Sequence, residues 1–249
     1  MSLILGLDLG GSSIKAGAVD VTAGRLVGEL QSIATPPGAK PDETQDALAS
    51  LVERFPQCSG YVGLAFPSVI KNGVAYSAAN IDKAWIGLDA SRLLTTAARR
   101  PGLVVNDADA AGVAEMRIGA GQASRGVVVM LTFGTGIGSA LFVDGTLWPN
   151  SEFGHLEIDG REAEQFASAR VRTTENLDWR TWCERVNRVL AGYHALLWPD
   201  LFIIGGGVSE RWEEFGGALR SPARIVPAVL RQTAGVVGAA FYAAEHTGG

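Results

Sequence analysis

Strand-like and helix-like stretches alternate along this chain, so the sequence predicts the α/β class, with two similar domains rather than one. Three observations carry that expectation. LDLGGSSIKAGAVD (7–20) and LTFGTGIGSALFVD (131–144) align without a gap at an offset of 124, close to half of the 249 residues. Each reads as an apolar strand, a glycine-rich turn and a second strand closing on Val-Asp, Val19-Asp20 in one and Val143-Asp144 in the other. A hydrophobic content of 47% is ample for a packed core at this length.

Between the hairpins, GRLVGELQSIA reads as a strand, and from Asp42 to Phe55 the positions Ala47, Leu48, Leu51, Val52 and Phe55 fall at helical spacing. YVGLAFPSV and GLVVND look like short buried strands with a helix from Asp89 to Arg99 between them, and ADAAGVAEMRIG reads as the next helix. Beyond the second hairpin, Asp178 caps a long helix whose stripe is Trp182, Val186, Val189, Leu190, Tyr193 and Leu197. PDLFIIGGG returns as a buried strand with a short helix after it, and VVGAAFYAAEH forms the last helix. The expected domains are residues 1–108 with 233–249, the last helix crossing back, and residues 109–232.

The 21 basic and 26 acidic residues give a net charge of -5, which argues against a generic nucleic-acid surface but leaves room for a polyanion in a local basic groove. Cys58 and Cys183 are single and far apart, against a disulfide framework or a CxxC-type zinc site, and the cytoplasm fits that usage. The opening LILGLDLGG lacks a charged leader, and no apolar run approaches the roughly 18 residues of a membrane span. Neither a targeting segment nor a membrane anchor is expected.

The hairpin glycines can serve simply to turn the chain. Their neighbours suggest more: Asp8, Ser12, Ser13 and Lys15 at the first turn, and Thr132 and Thr135 at the second, set hydroxyls and an ammonium beside backbone N–H groups, as phosphate oxygens require. Asp8 can favour phosphate only through Mg²⁺ and its waters. Gly205, Gly206 and Gly207 follow a strand and precede a helix, which suits a nucleotide or phosphate, although neither GGG nor GTGIG satisfies a Rossmann GxGxxG.

LVVNDADAAG places Asn106 and Asp107 at a strand end, where ligands collect in open α/β sheets. The plain reading is a helix cap by Asn106, Asp107 or Asp109. The chemical reading is a carboxylate that accepts the proton of an attacking hydroxyl, and Asp107 suits it better than Asp109, which lies inside the helix. NSEFGHLEIDGREAEQFAS gathers Glu152, His155, Glu157, Glu162 and Glu164. Glu162 reads as helix surface, while Glu152 and His155 around Gly154 read as a polar pocket for sugar hydroxyls. His155 with its neighbouring carboxylates but no second His is far from a zincin pattern. Arg161, Arg170, Arg172 and Arg180 form either a solvated surface or a track for a long polyanion.

In this order, the stretches resemble the sugar kinases of the ROK family (repressors, open reading frames and kinases), which have the actin-like ATPase, ribonuclease H-like fold of two domains around a cleft. DLGGSSIK resembles its first phosphate motif, LTFGTGIGSAL its second, LFIIGGGVS its adenosine motif and VVNDADAAG the segment of its catalytic Asp. Most members carry a CxCGxxGCxE zinc site after the GH motif; IDGREAEQFAS has no Cys, so the resemblance implies no structural zinc. PNSEFGHLEIDGREAE, ASARVR, LDWRTWCERVN and PDLFIIGGGVS look like the polyphosphate glucokinase subgroup.

That resemblance implies phosphoryl transfer from inorganic polyphosphate, and also ATP, to the 6-hydroxyl of glucose, with Asp107 as general base. Asn80, Asn106, Glu152, His155 and Glu164 would hold the sugar. Asp8 would help place Mg²⁺, Gly10, Gly11, Ser12, Lys15, Thr135 and Gly136 would hold donor phosphates, and Gly206 and Gly207 would meet adenosine. It further implies a cytoplasmic homodimer acting in glycolysis, with no nucleic-acid or membrane partner. The rival readings are an ATP-only hexose or hexosamine kinase, a non-catalytic sugar-sensing regulator, and a nucleotide-driven binding module without a sugar pocket. Family repressors carry a DNA-binding segment ahead of the first phosphate motif, which here starts at Asp8.

Overall fold

The computed structural model describes residues 3–246, and the chain divides into two compact units. The first runs to Ala114 and resumes at Gln232; the second is Glu115–Arg231.

In the first unit, β1 (Leu3–Leu9), β2 (Ser13–Asp20) and β3 (Arg25–Ala34) form an antiparallel meander, and β4 (Val62–Phe66) joins β1 in parallel. β5 (Ile70–Lys71) and β6 (Val74–Ala75) make a small separate hairpin, and β7 (Gly102–Asn106) completes the main sheet in the order β3-β2-β1-β4-β7. Helices α1 (Pro41–Val52) and α2 (Ala90–Ala98) supply Leu48, Leu51, Leu93 and Leu94 to a core shared with Leu5, Leu7 and Leu64. α3 (Asp107–Ile118) follows β7.

The second unit repeats this plan. β8 (Val127–Phe133), β9 (Ile137–Val143) and β10 (Thr146–Trp148) form the meander, and β11 (Glu157–Ile158) and β12 (Arg161–Glu162) a side hairpin. After α4 (Ala163–Ala167), α5 (Ala169–Thr174) and α6 (Trp179–Leu197), β13 (Leu201–Gly205) pairs in parallel with β8, and β14 (Arg224–Pro227) with β13. The order β10-β9-β8-β13-β14 matches the first sheet strand for strand. A 3₁₀ turn, Gly207–Arg211, and α7 (Trp212–Phe215) follow β13. Asp178 Oδ1 accepts from the Thr181 N–H at 2.7 Å, capping α6, whose Trp182, Val186, Val189, Leu190 and Tyr193 are buried against Phe133 and Phe202.

The last helix, α8 (Ala234–Glu245), lies on the first unit's sheet. Its approach explains two strand glycines: a Cβ at Gly6 or Gly63 would overlap the carbonyls of Val236 and Ala239. The division between the two units falls within α3, after Ala114. Glu115, the first residue beyond, is buried, and its carboxylate accepts from the N–H groups of Ala120, Val229 and Leu230.

Candidate active site

In the first unit, the β1–β2 register sets Asp8 opposite Lys15, and the turn between them is exposed at Gly11 and Ser12. Thr35 stiffens the turn: its Oγ1 donates to Gly10 O at 2.6 Å and its N–H to Ser12 O at 3.2 Å, while Gly10 N–H reaches Ser13 O. The N–H groups of Gly11 and Ser12 have no acceptor among the described residues. Asp8 is mostly buried beneath the first turn of α8, where Gly235 leaves room for its carboxylate. Burial holds that carboxyl above the usual range, with Lys15 opposing the shift.

Asn106 ends β7 and caps α3: its Oδ1 accepts from Ala108 and Asp109 N–H, and its Nδ2 donates to Ser68 O. The plain reading of Asn106 as a cap therefore holds, with its Nδ2 using one of two hydrogens on Ser68. Asp107 opens α3 with an exposed side chain, whereas Asp109 is fully buried. Asn80 stands exposed in the loop beyond β6, and the same loop is tied to Ser68 through Ser77.

In the second unit, Gly134 and Thr135 lie exposed at the turn, and a Cβ at Gly134 would meet nothing. Gly136 and Gly154 are glycines for another reason. A Cβ at Gly136 would overlap Oε2 of Glu164, and one at Gly154 would overlap Ile137 O. Glu164 Oε2 lies 3.4 Å from the Ile137 N–H, and Phe153 N–H donates to Ser139 Oγ at 3.0 Å. Ser139 Oγ in turn donates to Ser151 O at 2.6 Å, and the Tyr193 hydroxyl to Phe153 O at 2.6 Å. These contacts bolt the segment from Ser151 to His155 onto β9 and α6, beside the β8–β9 turn.

Glu152, His155 and Glu164 thus share one corner of this unit, with Glu152 and His155 exposed. Burial of its carboxyl pushes Glu152 above the usual range, opposed by His155 and reinforced by Glu164. Ligand atoms of His155, Glu162 and Glu164 lie within 4.8 Å of one another and could also hold a metal ion. Gly206, at φ 81, backs onto Phe133, and Gly207 is open.

The four arginines do not act alike. Arg172 stacks on the Trp179 ring at 3.6 Å and Arg180 pairs with Glu184 at 3.7 Å. Arg161 is exposed and contributes to lowering the Glu175 carboxyl, which the Arg185 hydrogen bond lowers most. Arg170, also exposed, has its N–H bonded to Gly134 O, at the β8–β9 turn itself. The ties made by Thr35, Ser68, Ser139, Ser151 and Tyr193 were not legible in the sequence, because each acts through a partner distant in the chain.

The sequence pattern of the ROK family matches residues 4–168. The chain is 45% identical to the polyphosphate glucokinase of Mycobacterium tuberculosis (strain CDC 1551 / Oshkosh), over 97% of this chain and 91% of that one. The crystal structure of an inorganic polyphosphate/ATP-glucomannokinase from Arthrobacter sp. strain KM superposes with a TM-score of 0.93 at 45% identity, covering 98% and 99% of the two chains. A ROK family glucokinase from Streptomyces griseus, in complex with glucose and AMPPNP, gives a TM-score of 0.83 at 25% identity, covering 98% and 99%. With its duplicated five-stranded sheets, the fold is that of the actin-like ATPases, and the chain belongs to the ROK family.

Proposed function

We propose that this chain is a glucokinase that transfers a phosphoryl group from inorganic polyphosphate, and from ATP, to the 6-hydroxyl of glucose. The observation that carries the reading is the packing of Glu164 against Gly136 of the second turn, with Glu152 and His155 beside that carboxylate, which supports sugar-binding groups next to a donor loop. The names of the relatives agree with it.

Asp107 takes the proton as the 6-oxygen attacks the terminal phosphorus of the donor. A new O–P bond forms, the bridging P–O bond breaks, and the electron pair leaves with the shortened polyphosphate or ADP. Gly10, Gly11, Ser12, Lys15, Thr135 and Gly136 hold donor oxygens, and Gly206 and Gly207 approach adenosine when ATP is the donor. Glucose is held by Asn80, Glu152, His155 and Glu164, with Asn106 contributing its remaining N–H.

Asp8 fits Mg²⁺, since a single mostly buried carboxylate below exposed backbone N–H groups matches an ion that draws its other ligands from phosphates and water. Bound there, the ion neutralises phosphate charge. Among the described residues no helix is long and apolar enough to cross a membrane. A homodimer, a cytoplasmic setting, a place in glycolysis and a zinc-free fold belong to the same proposal; light scattering and metal analysis read the first and last.

The test is a coupled assay of glucose 6-phosphate formation with each donor, on wild type and Asp107→Ala. Loss of turnover with calorimetric glucose binding retained is expected. Near-normal turnover in the variant removes Asp107 from the chemistry, and no product with either donor removes the activity.

A further inference from the structure

Glu162 reads as helix surface in the sequence, yet three constraints hold it beside His155. It lies on the β11–β12 hairpin, whose register pairs Glu157 with Glu162 and whose turn places Asp159 and Gly160 in the left-handed region at φ 53 and 76. The Ala163 N–H donates to Leu156 O at 2.8 Å, closing the hairpin onto the His155 segment. Gln165 Nε2 donates to Glu162 Oε2 at 2.9 Å. Although Glu162 precedes α4, its side chain makes no cap hydrogen bond, and Oε1 lies 3.5 Å from Nδ1 of His155. The opposite ring nitrogen, Nε2, faces Glu152 Oε2 at 3.9 Å.

A carboxylate only accepts, and of the two that face the ring Glu162 is the nearer and is held by Gln165, so the one proton of a neutral imidazole sits on Nδ1 and Nε2 is then available as an acceptor. We propose that Glu162 is a positioning residue for sugar recognition, holding a proton on Nδ1 of His155 so that Nε2 and Glu152 accept from neighbouring sugar hydroxyls. This inference rests on the reading of Glu152, His155 and Glu164 as the sugar pocket. It explains why this carboxylate is clamped by a hairpin turn and an amide.

The experiment combines Glu162→Gln, Glu162→Asp, His155→Gln and the double variant Glu162→Gln/His155→Gln, with glucose affinity by calorimetry, steady-state constants for glucose and polyphosphate, and ¹⁵N spectra of His155. Glu162→Gln is expected to raise the glucose KM about 10-fold, the scale at which an outer partner of a functional His acts, leaving kcat and the polyphosphate KM near wild type. It should add nothing in the His155→Gln background, Glu162→Asp should recover part of the loss, and the single Nδ1–H tautomer of wild type should become a mixture.

An equal further loss in the double variant, or an unchanged tautomer in Glu162→Gln, overturns the proposal. So does glucose affinity that vanishes with chelator and returns with Zn²⁺, which would make Glu162 a metal ligand. Unchanged glucose affinity in His155→Gln overturns the sugar-pocket reading itself, an outcome distinct from a silent Glu162→Gln beside an impaired His155→Gln.

Discussion

Gly136→Ala separates the two roles that meet at the second turn. The added methyl carbon would sit about 1 Å inside ordinary contact with Glu164 Oε2, and 3.3 Å from the carboxyl carbon of the same side chain. Gly136 has no positive φ, so the backbone accepts alanine and the strain falls on the carboxylate. Glu164 must swing away and give up its 3.4 Å approach to the Ile137 N–H. Misplacing a positioning group by about 1 Å can cost about 100-fold, and because this carboxylate is the free end of a side chain we expect a glucose KM raised about 10- to 100-fold. The control is Gly134→Ala, where no atom lies within 4 Å. Its methyl enters the space above the turn and should raise the polyphosphate KM instead. Each substrate is varied at saturation of the other in the coupled assay. A Gly136→Ala variant with normal glucose KM and a raised polyphosphate KM, or two variants that raise the same constant, would refute the division of labour.

Two further outcomes follow from charge. Burial raises the Asp8 carboxyl pKa in the folded state, so the native chain holds that proton to higher pH than the unfolded one does; the ionised group therefore lowers stability at neutral pH, and the deficit shrinks as pH falls through the raised value. Asp8→Asn should raise Tm near neutral pH, by less toward about pH 4, while depressing turnover, and an unchanged or lower neutral Tm contradicts the burial argument. Arg170→Ala should raise the polyphosphate KM about 10-fold at low salt and by less at high salt, where the lost attraction is already screened, whereas Arg180→Ala, which loses an exposed pair with Glu184, should not; equal effects would restore the four-arginine track.

The sequence alone determined the alternation of elements, the paired hairpins, the cap of α6 by Asp178 and the position of Asp109 inside a helix that Asp107 opens. All of these rest on local causes: hydrophobic period, turn chemistry and the orphan N–H groups of a helix start. The residues that make up the candidate site were legible for the same reason, because glycine strings and polar clusters are contiguous. Their division of labour was not. Gly134 and Gly136 are two apart in one turn, yet one is open and the other yields to a carboxylate 28 residues on. Asn106 is largely consumed by a cap and by Ser68, and Glu162 finds its partner across a hairpin. Only the tertiary structure could decide these points, since which backbone, carboxylate or ring approaches a residue depends on packing between segments distant in the chain, and local periodicity carries no record of it.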